Sequence, residues 1–189
     1  VPARVGHRKL DYAASLDAHG VPVVALAGTC MEAGKTAAAC AIVSRMRHRG
    51  LSVHAFKATG VSLRRDILAM EDSGARRSMI FTDLGIVTTT SASGPALTRT
   101  MLTEMTQGHP DVVVFELGDG ILGAYGVEAI LAADDVRRAL TAVVLSANDP
   151  VAAWGGVKLL RERFEIEPCA VTGPSTDNEI GRASCRERV

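Results

Sequence analysis

Residues Val21 to Ala27, VPVVALA, form a short apolar run that meets Gly28, the pattern of a strand buried on both faces of a parallel sheet. From Lys35 the small and apolar positions Ala39, Ile42, Val43 and Met46 recur at helical spacing. Ser44, Arg45, Arg47 and His48 take the opposite face, and Gly50 supplies the stop. Leu51 to Phe56 then reads as a second strand, so the three segments make a βαβ unit with its right-handed crossover. Further on, Leu63, Ile67 and Met70 predict a helix, Met79 to Thr90 an extended piece, and Ala96 to Met105 another helix. Val112 to Phe115 is an apolar strand that ends in Glu116, followed by a Gly-rich turn and helical segments up to Leu140. Thr141 to Ala147 is another buried strand. Asn148-Asp149-Pro150 then opens a helix, with Asp149 as N-cap, Pro150 in the first turn and Trp154, Val157, Leu160 and Phe164 along its buried stripe. Cys169 to Thr172 is the last strand.

Strands alternating with helices in this way predict an α/β fold: a mainly parallel sheet with helices on both faces and a ligand site at the carboxyl ends of the strands. Gly28, Lys57, Glu116 and Asn148 all fall at such ends. The 189 residues suit one domain of about 100 to 200 residues. Val1 to Gly20 is expected to be a leader or linker from an upstream part. Residues 21–179 are expected to form the nucleotide-binding domain, incomplete at its C-terminal end. Ile180 to Val189, IGRASCRERV, back-translates to a string resembling a sequencing adapter read in frame, so it is set aside from the fold.

Composition narrows the function classes. Hydrophobic residues make up 47% and charged residues 22%, which fits a packed globular chain. Lys plus Arg and Asp plus Glu balance at 21 each, so net charge offers no reason to expect nucleic acid or an anionic membrane as partner. Cys30, Cys40, Cys169 and Cys185 lack CxxC or Cys/His spacing, pointing to reduced thiols and a cytoplasmic location. The sequence has no run of about 18 consecutive apolar residues and no basic-then-apolar opening segment.

The chemistry concentrates in Gly28-Thr29-Cys30-Met31-Glu32-Ala33-Gly34-Lys35-Thr36, which joins the first strand to the first helix. Successive backbone amides leading into a helix N-terminus form an anion cradle. Gly28 and Gly34 allow close approach of the backbone, with Thr29, Glu32 and Ala33 between them in the loop. Lys35 is placed to reach the β and γ phosphates and Thr36 to offer its hydroxyl to Mg²⁺. These features identify a P-loop NTPase pattern, although its glycines enclose five residues where the strict pattern has four. Glu116 is an oxygen ligand suited to Mg²⁺, and Asp119 in the following LGDG is the alternative ligand or a residue that orients a water.

The loop resembles GTDTEVGKT of the dethiobiotin synthetases, sharing Gly28, Thr29, Glu32, Gly34, Lys35 and Thr36; the five-residue spacing belongs to that family. The chain is also similar to the molybdopterin-guanine dinucleotide biosynthesis B proteins, members of the same larger class, with similarity in order extending over Val21 to Thr172. The resemblance implies an acidic Mg²⁺ ligand at Glu116, a catalytic lysine near the reacting phosphate at Lys57, a second Mg²⁺ ligand at Asp66 and a base-contacting Asn148. It departs from the family at Cys30 and Met31, which stand where Asp and Thr are expected, and at Ala58, where a proline usually follows the lysine. The second loop lysine that acts across a dimer in this class is absent, so a nucleotide sandwich dimer of that type is not expected; another homodimer is still compatible with the sequence. The expectation is a Mg²⁺-dependent enzyme that binds and hydrolyses ATP, or GTP, and acts ligase-like or by phosphoryl transfer on a small molecule, resembling dethiobiotin synthetase in fold and loop rather than in substrate. The alternative is a nucleotide-binding accessory protein of cofactor biosynthesis with little turnover.

Overall fold

The computed structural model describes residues 12, 13 and 15–177; the expectations for the first eleven residues, for Cys185 and for Ile180–Val189 fall outside the described residues. In chain order the strands are β1 (Val23–Gly28), β2 (Val53–Lys57), β3 (Arg77–Ile80), β4 (Val112–Glu116), β5 (Ala142–Ser146) and β6 (Ala170–Thr172). The α-helices are α1 (Lys35–His48), α2 (Arg64–Asp72), α3 (Gly94–Thr106), α4 (Val127–Ala132), α5 (Asp134–Ala139) and α6 (Pro150–Phe164). All the strand pairs are parallel, in the order β3-β2-β4-β1-β5-β6. Right-handed crossovers put α1 and α2, which lead toward β3, on one face, and α3 to α6, which lead toward β6, on the other. Consistently, α1 packs against α2 and the central strands, while α3 packs against α4 and α5. The chain reverses direction between β1 and β4, so a crevice opens at their carboxyl ends.

The near-continuous apolar runs follow from burial on both faces: every residue of β1, β2 and β4 is buried. Phe56 and Phe115 are register partners on β2 and β4 and stack with centroids 4.7 Å apart. Strand alternation sets Lys57 and Glu116, also register partners, on the other face. His54 shares the Phe56 face, and its Nδ1 lies 2.7 Å from the Met105 carbonyl of α3. Among the described residues no helix is long and apolar enough to cross a membrane.

One region differs from the sequence pattern. The extended piece expected over Met79 to Thr90 is only the four-residue β3, followed by a 3₁₀ turn, Phe81–Leu84, and irregular chain. Asp83 Oδ2 accepts the Ile80 amide at 2.9 Å, and Gly85 takes φ 80°, so the backbone is satisfied locally and turns away from the sheet. Before β1, the described part of the expected leader lies along α3. Ala13 and Asp17 amides donate to the Thr100 and Thr103 hydroxyls, the Thr106 hydroxyl donates to the Asp17 carbonyl, and Leu16 packs on the core.

Burial holds the His54 imidazole below its ordinary pKa, reinforced by Arg77 and Arg76 and opposed by the Met105 carbonyl. The unfolded chain therefore binds that proton more tightly. His54 stability is fully present above about pH 6.5 and is lost as pH falls through that value toward the lower folded pKa. Thermal melts between about pH 7.5 and 5.5 should show Tm falling with acidification, with a shallower slope in His54→Gln; parallel slopes would assign the pH dependence to other groups.

Candidate nucleotide site

The site gathers at the crevice between β1 and β4. Gly28 ends β1, and a Cβ built there would lie 2.8 Å from Cδ and Nζ of Lys35, so the glycine leaves the space in which the lysine runs back beside the strand. Glu32 at φ 59° and Gly34 at φ 93° take left-handed conformations within the loop, which turns its amides inward ahead of α1. Ala33 is fully buried. Lys35 is 4% exposed, and its ammonium donates to the Cys30 carbonyl at 2.8 Å. Burial lowers the Lys35 pKa; the Glu116 carboxylate opposes that most strongly, followed by Cys30 and Asp119.

Thr36, on the first turn of α1, donates its hydroxyl to Glu116 Oε2 at 2.7 Å. Glu116 Oε1 lies 3.9 Å from Lys57 Nζ, and Lys57 in turn donates to Asp66 Oδ2 on α2. Thr36, Glu116, Lys57 and Asp66 thus form one continuous polar chain on the α1/α2 face. All three charged members are buried, with Glu116 3% and Lys57 4% exposed. Burial raises the Glu116 pKa, while Lys57, the Thr36 hydroxyl and Lys35 pull it back. Lys57 does not snorkel to solvent from its strand end; it is the counter-ion of two carboxylates. Asp66 is correspondingly committed to Lys57, with Arg65 Nε 3.8 Å from its other oxygen.

Asp119 behaves differently. It adopts φ 82°, and its carboxylate folds over its own loop so closely that a Cβ at Gly123 would meet Oδ2 at 1.8 Å. Glu116, not Asp119, is the acid bonded to Thr36. Asn148, exposed after β5, donates its amide to Cys30 Sγ at 3.1 Å, which ties the expected base-contacting residue to the phosphate loop. Asp149 caps α6 as expected, its Oδ1 accepting the Ala152 amide at 2.8 Å.

Several parts of the site carry no motif signal. A Cβ at Gly118 would lie 2.2 Å from the Thr59 carbonyl, and one at Gly120 2.6 Å from the Thr29 carbonyl. The loop after β4 therefore rests backbone to backbone on the loops after β2 and β1. Gly173, after β6, packs against the Ala33 carbonyl in the same way. The Ser146 carbonyl accepts the Thr29 amide at 3.0 Å, while its fully buried hydroxyl has no hydrogen-bond partner among the described residues. Leu145 faces Gly156 of α6, so strand alternation turns the Ser146 hydroxyl to the α1 face, beneath the phosphate loop. The small-residue strings ATG and LGDG were the only sequence hint of these approaches.

The donor set fits a Mg²⁺-nucleotide. Gly28 leaves a cradle that a side chain would fill, Lys35 supplies a cation, and Thr36 and Glu116 present adjoining hard oxygens. No group of three or more His, Cys, Asp or Glu side chains suited to a metal occurs among the described residues.

No family model matches the chain, and no curated protein matches it. The fold is similar to that of the signal recognition particle receptor FtsY from Elizabethkingia anophelis, with a TM-score of 0.56 and 18% identity over 81% of this chain and 50% of that one. It is also similar to the kinase domain of Escherichia coli tyrosine kinase ETK (TM-score 0.53, 13% identity, 82% of this chain and 68% of that one). A third similar structure is chloroplast FtsY from Physcomitrella patens (TM-score 0.51, 14% identity, 89% and 62%). The chain spans half the length of the Elizabethkingia FtsY. At these identities the likeness shows the fold alone, and the sheet order and phosphate loop agree with it: the chain has the α/β fold of the P-loop NTPases.

Proposed function

We propose that this chain binds a nucleoside triphosphate with Mg²⁺ through the Gly28–Thr36 loop and uses it as an NTPase or phosphoryl-transfer enzyme. The observation that carries the reading is the Thr36–Glu116–Lys57–Asp66 chain beside Lys35, which holds two cations and two hard-oxygen ligands at one strand-end crevice. The Elizabethkingia FtsY has been solved in complex with GDP, which supports a nucleotide in a fold of this kind. In this reading the loop amides and Lys35 hold the β and γ phosphates, Thr36 and Glu116 hold the metal, and Asn148 lies on the side of the base. The metal supplies charge neutralisation of the phosphates. Lys57, kept in place by Asp66 and Glu116, presents a fixed cation to charge that develops on the transferring group.

The acceptor side of the reading rests on apolar exposure. Met31, Val61, Leu122 and Val151 are exposed and follow the carboxyl ends of β1, β2, β4 and β5, the end of the sheet at which the crevice opens. We assign them to a small molecule with an apolar body, the acceptor of a ligase-like or phosphoryl-transfer reaction. Calorimetric titration of the chain with ATP and with GTP, each with and without Mg²⁺, should give saturable binding strengthened by the metal. The same titrations identify the preferred base, and phosphate release measures turnover. Absence of binding for both nucleotides would reject the reading.

A further inference from the structure

At the opposite end of the sheet a cavity of about 400 Å³ lies between the last turn of α1, the start of β2 and the turn from α2 to β3. That volume is within the range of small-molecule pockets. It is roughly 20 Å along α1 from Lys35 and shares no lining residue with the nucleotide site. Leu51 is its exposed apolar side chain, Ser52 lines it beside Leu51, Val53 closes its floor as a fully buried residue, and Arg47 and Arg76 line it from different elements.

The arginines distinguish this cavity from an ordinary surface dent. Arg64, Arg77, Arg99, Arg137, Arg161 and Arg163 each meet a carboxylate within 4.0 Å. Arg47 and Arg76 are exposed and, like Arg45, Arg49 and Arg138, have no carboxylate within that distance among the described residues; they are the two of these five that line the cavity. Asp111, next to the cavity wall, accepts the Ser52 amide through its Oδ2 at 2.7 Å. Arg45 and His48 stand in the same last turn of α1 and complement its carbonyl end without Arg47. Moreover, Gly74 holds φ 107°, and a Cβ there would lie 2.8 Å from Arg47 Cγ, so the glycine makes room for the arginine stem to cross the α2–β3 turn. Gly50, also at a left-handed φ, would meet nothing within 4 Å with a Cβ and leaves the cavity open on that side.

Two unpaired guanidinium groups at the mouth of a partly apolar cavity match an oxyanion carried on a small body, because a planar fork donates in pairs to carboxylate or phosphate oxygens. We propose that this cavity is a second binding site, distinct from the nucleotide site, for a small ligand bearing a phosphate or carboxylate group. Arg47 and Arg76 hold the oxyanion, and Leu51 packs against the ligand body.

The test follows backbone amides by NMR in the full chain carrying Lys35→Ala, which weakens the phosphate loop's own response to anions. Inorganic phosphate and succinate are titrated separately. Saturable shifts are expected at Gly50, Leu51, Ser52 and Gly74, and the stronger of the two probes assigns the oxyanion as phosphate or carboxylate. Adding Arg47→Gln and Arg76→Gln should weaken that binding at least about tenfold. The rest of the amide spectrum should stay in place, which reports an intact fold. The proposal is overturned if neither probe gives saturable shifts at these amides, or if the arginine substitutions leave an observed affinity unchanged.

Discussion

Lys35→Ala is expected to lower nucleotide affinity tenfold or more, at least about 1.4 kcal/mol, while leaving the melting temperature of the nucleotide-free chain nearly unchanged. The asymmetry follows from where the lysine sits. Its ammonium is buried, donates to the Cys30 carbonyl at 2.8 Å and has its pKa lowered chiefly by desolvation, so the charge costs the free protein something that Ala does not. A bound phosphate adds negative charge beside that ammonium and gives its donors stronger acceptors than a carbonyl. The interaction is therefore made mainly in the complex, and its deletion appears mainly in binding. The lost stem leaves a gap beside Gly28, whose missing side chain had made room for it, and this limits how far the fold can gain from losing the charge. Calorimetric titration with the preferred nucleotide measures the affinity, and a thermal melt without nucleotide measures the fold. Unchanged affinity in a folded variant would remove Lys35 from the phosphate site and with it the central part of the proposed function.

The parts of this site that were legible in the sequence are those whose chemistry is local. Gly28 to Thr36 lies in one strand–loop–helix unit, so residue order alone brings its amides, Lys35 and Thr36 together. Glu116 was legible because a carboxylate that ends an apolar strand has few structural reasons to be there. The partners of these residues were not legible in the same way. The pairing of Asp66, a second Mg²⁺ ligand by resemblance, with Lys57 arises because α2 crosses the same face on which strand alternation places the lysine. Between Glu116 and its alternative Asp119, the backbone sets which one meets Thr36: φ 82° at Asp119 turns its carboxylate over Gly123, and Glu116 accepts the Thr36 hydroxyl. The contacts of Gly118 with Thr59 and of Gly120 with Thr29 are backbone approaches between loops distant in sequence, which no side-chain pattern encodes. The extended piece expected over Met79 to Thr90 stops at Ile80, because the Asp83 side chain satisfies the chain in a turn that residue type alone does not encode.

Glu116→Gln should separate the cost of the site from its use. Glutamine keeps the shape and an oxygen for the Thr36 hydroxyl, but it removes the charge next to Lys57 and Lys35. Burial raises the Glu116 pKa more than those cations and the Thr36 bond lower it, so the folded state holds the proton more tightly than the unfolded chain. The Glu116 contribution is then fully stabilising below the ordinary carboxyl pKa of about 4.5 and is lost as pH rises through the raised folded value. At neutral pH the glutamine variant, free of that loss, is expected to be at least as stable as the parent without ligands. Its advantage should shrink as the pH is lowered toward 4.5. The metal reverses the sign, because Mg²⁺ needs the anionic oxygen and returns in binding what the free fold gives up in burying it. The strengthening of nucleotide binding by Mg²⁺ should therefore fall tenfold or more, about 1.4 kcal/mol, while binding without metal changes much less. Thermal melts across pH and paired titrations with and without Mg²⁺ give the two readouts. A variant that is less stable and equally weakened with and without metal would make Glu116 a structural partner of Lys57 and Thr36. A variant that is more stable yet no longer responds to Mg²⁺ would mark it as a carboxylate kept in the core for the metal.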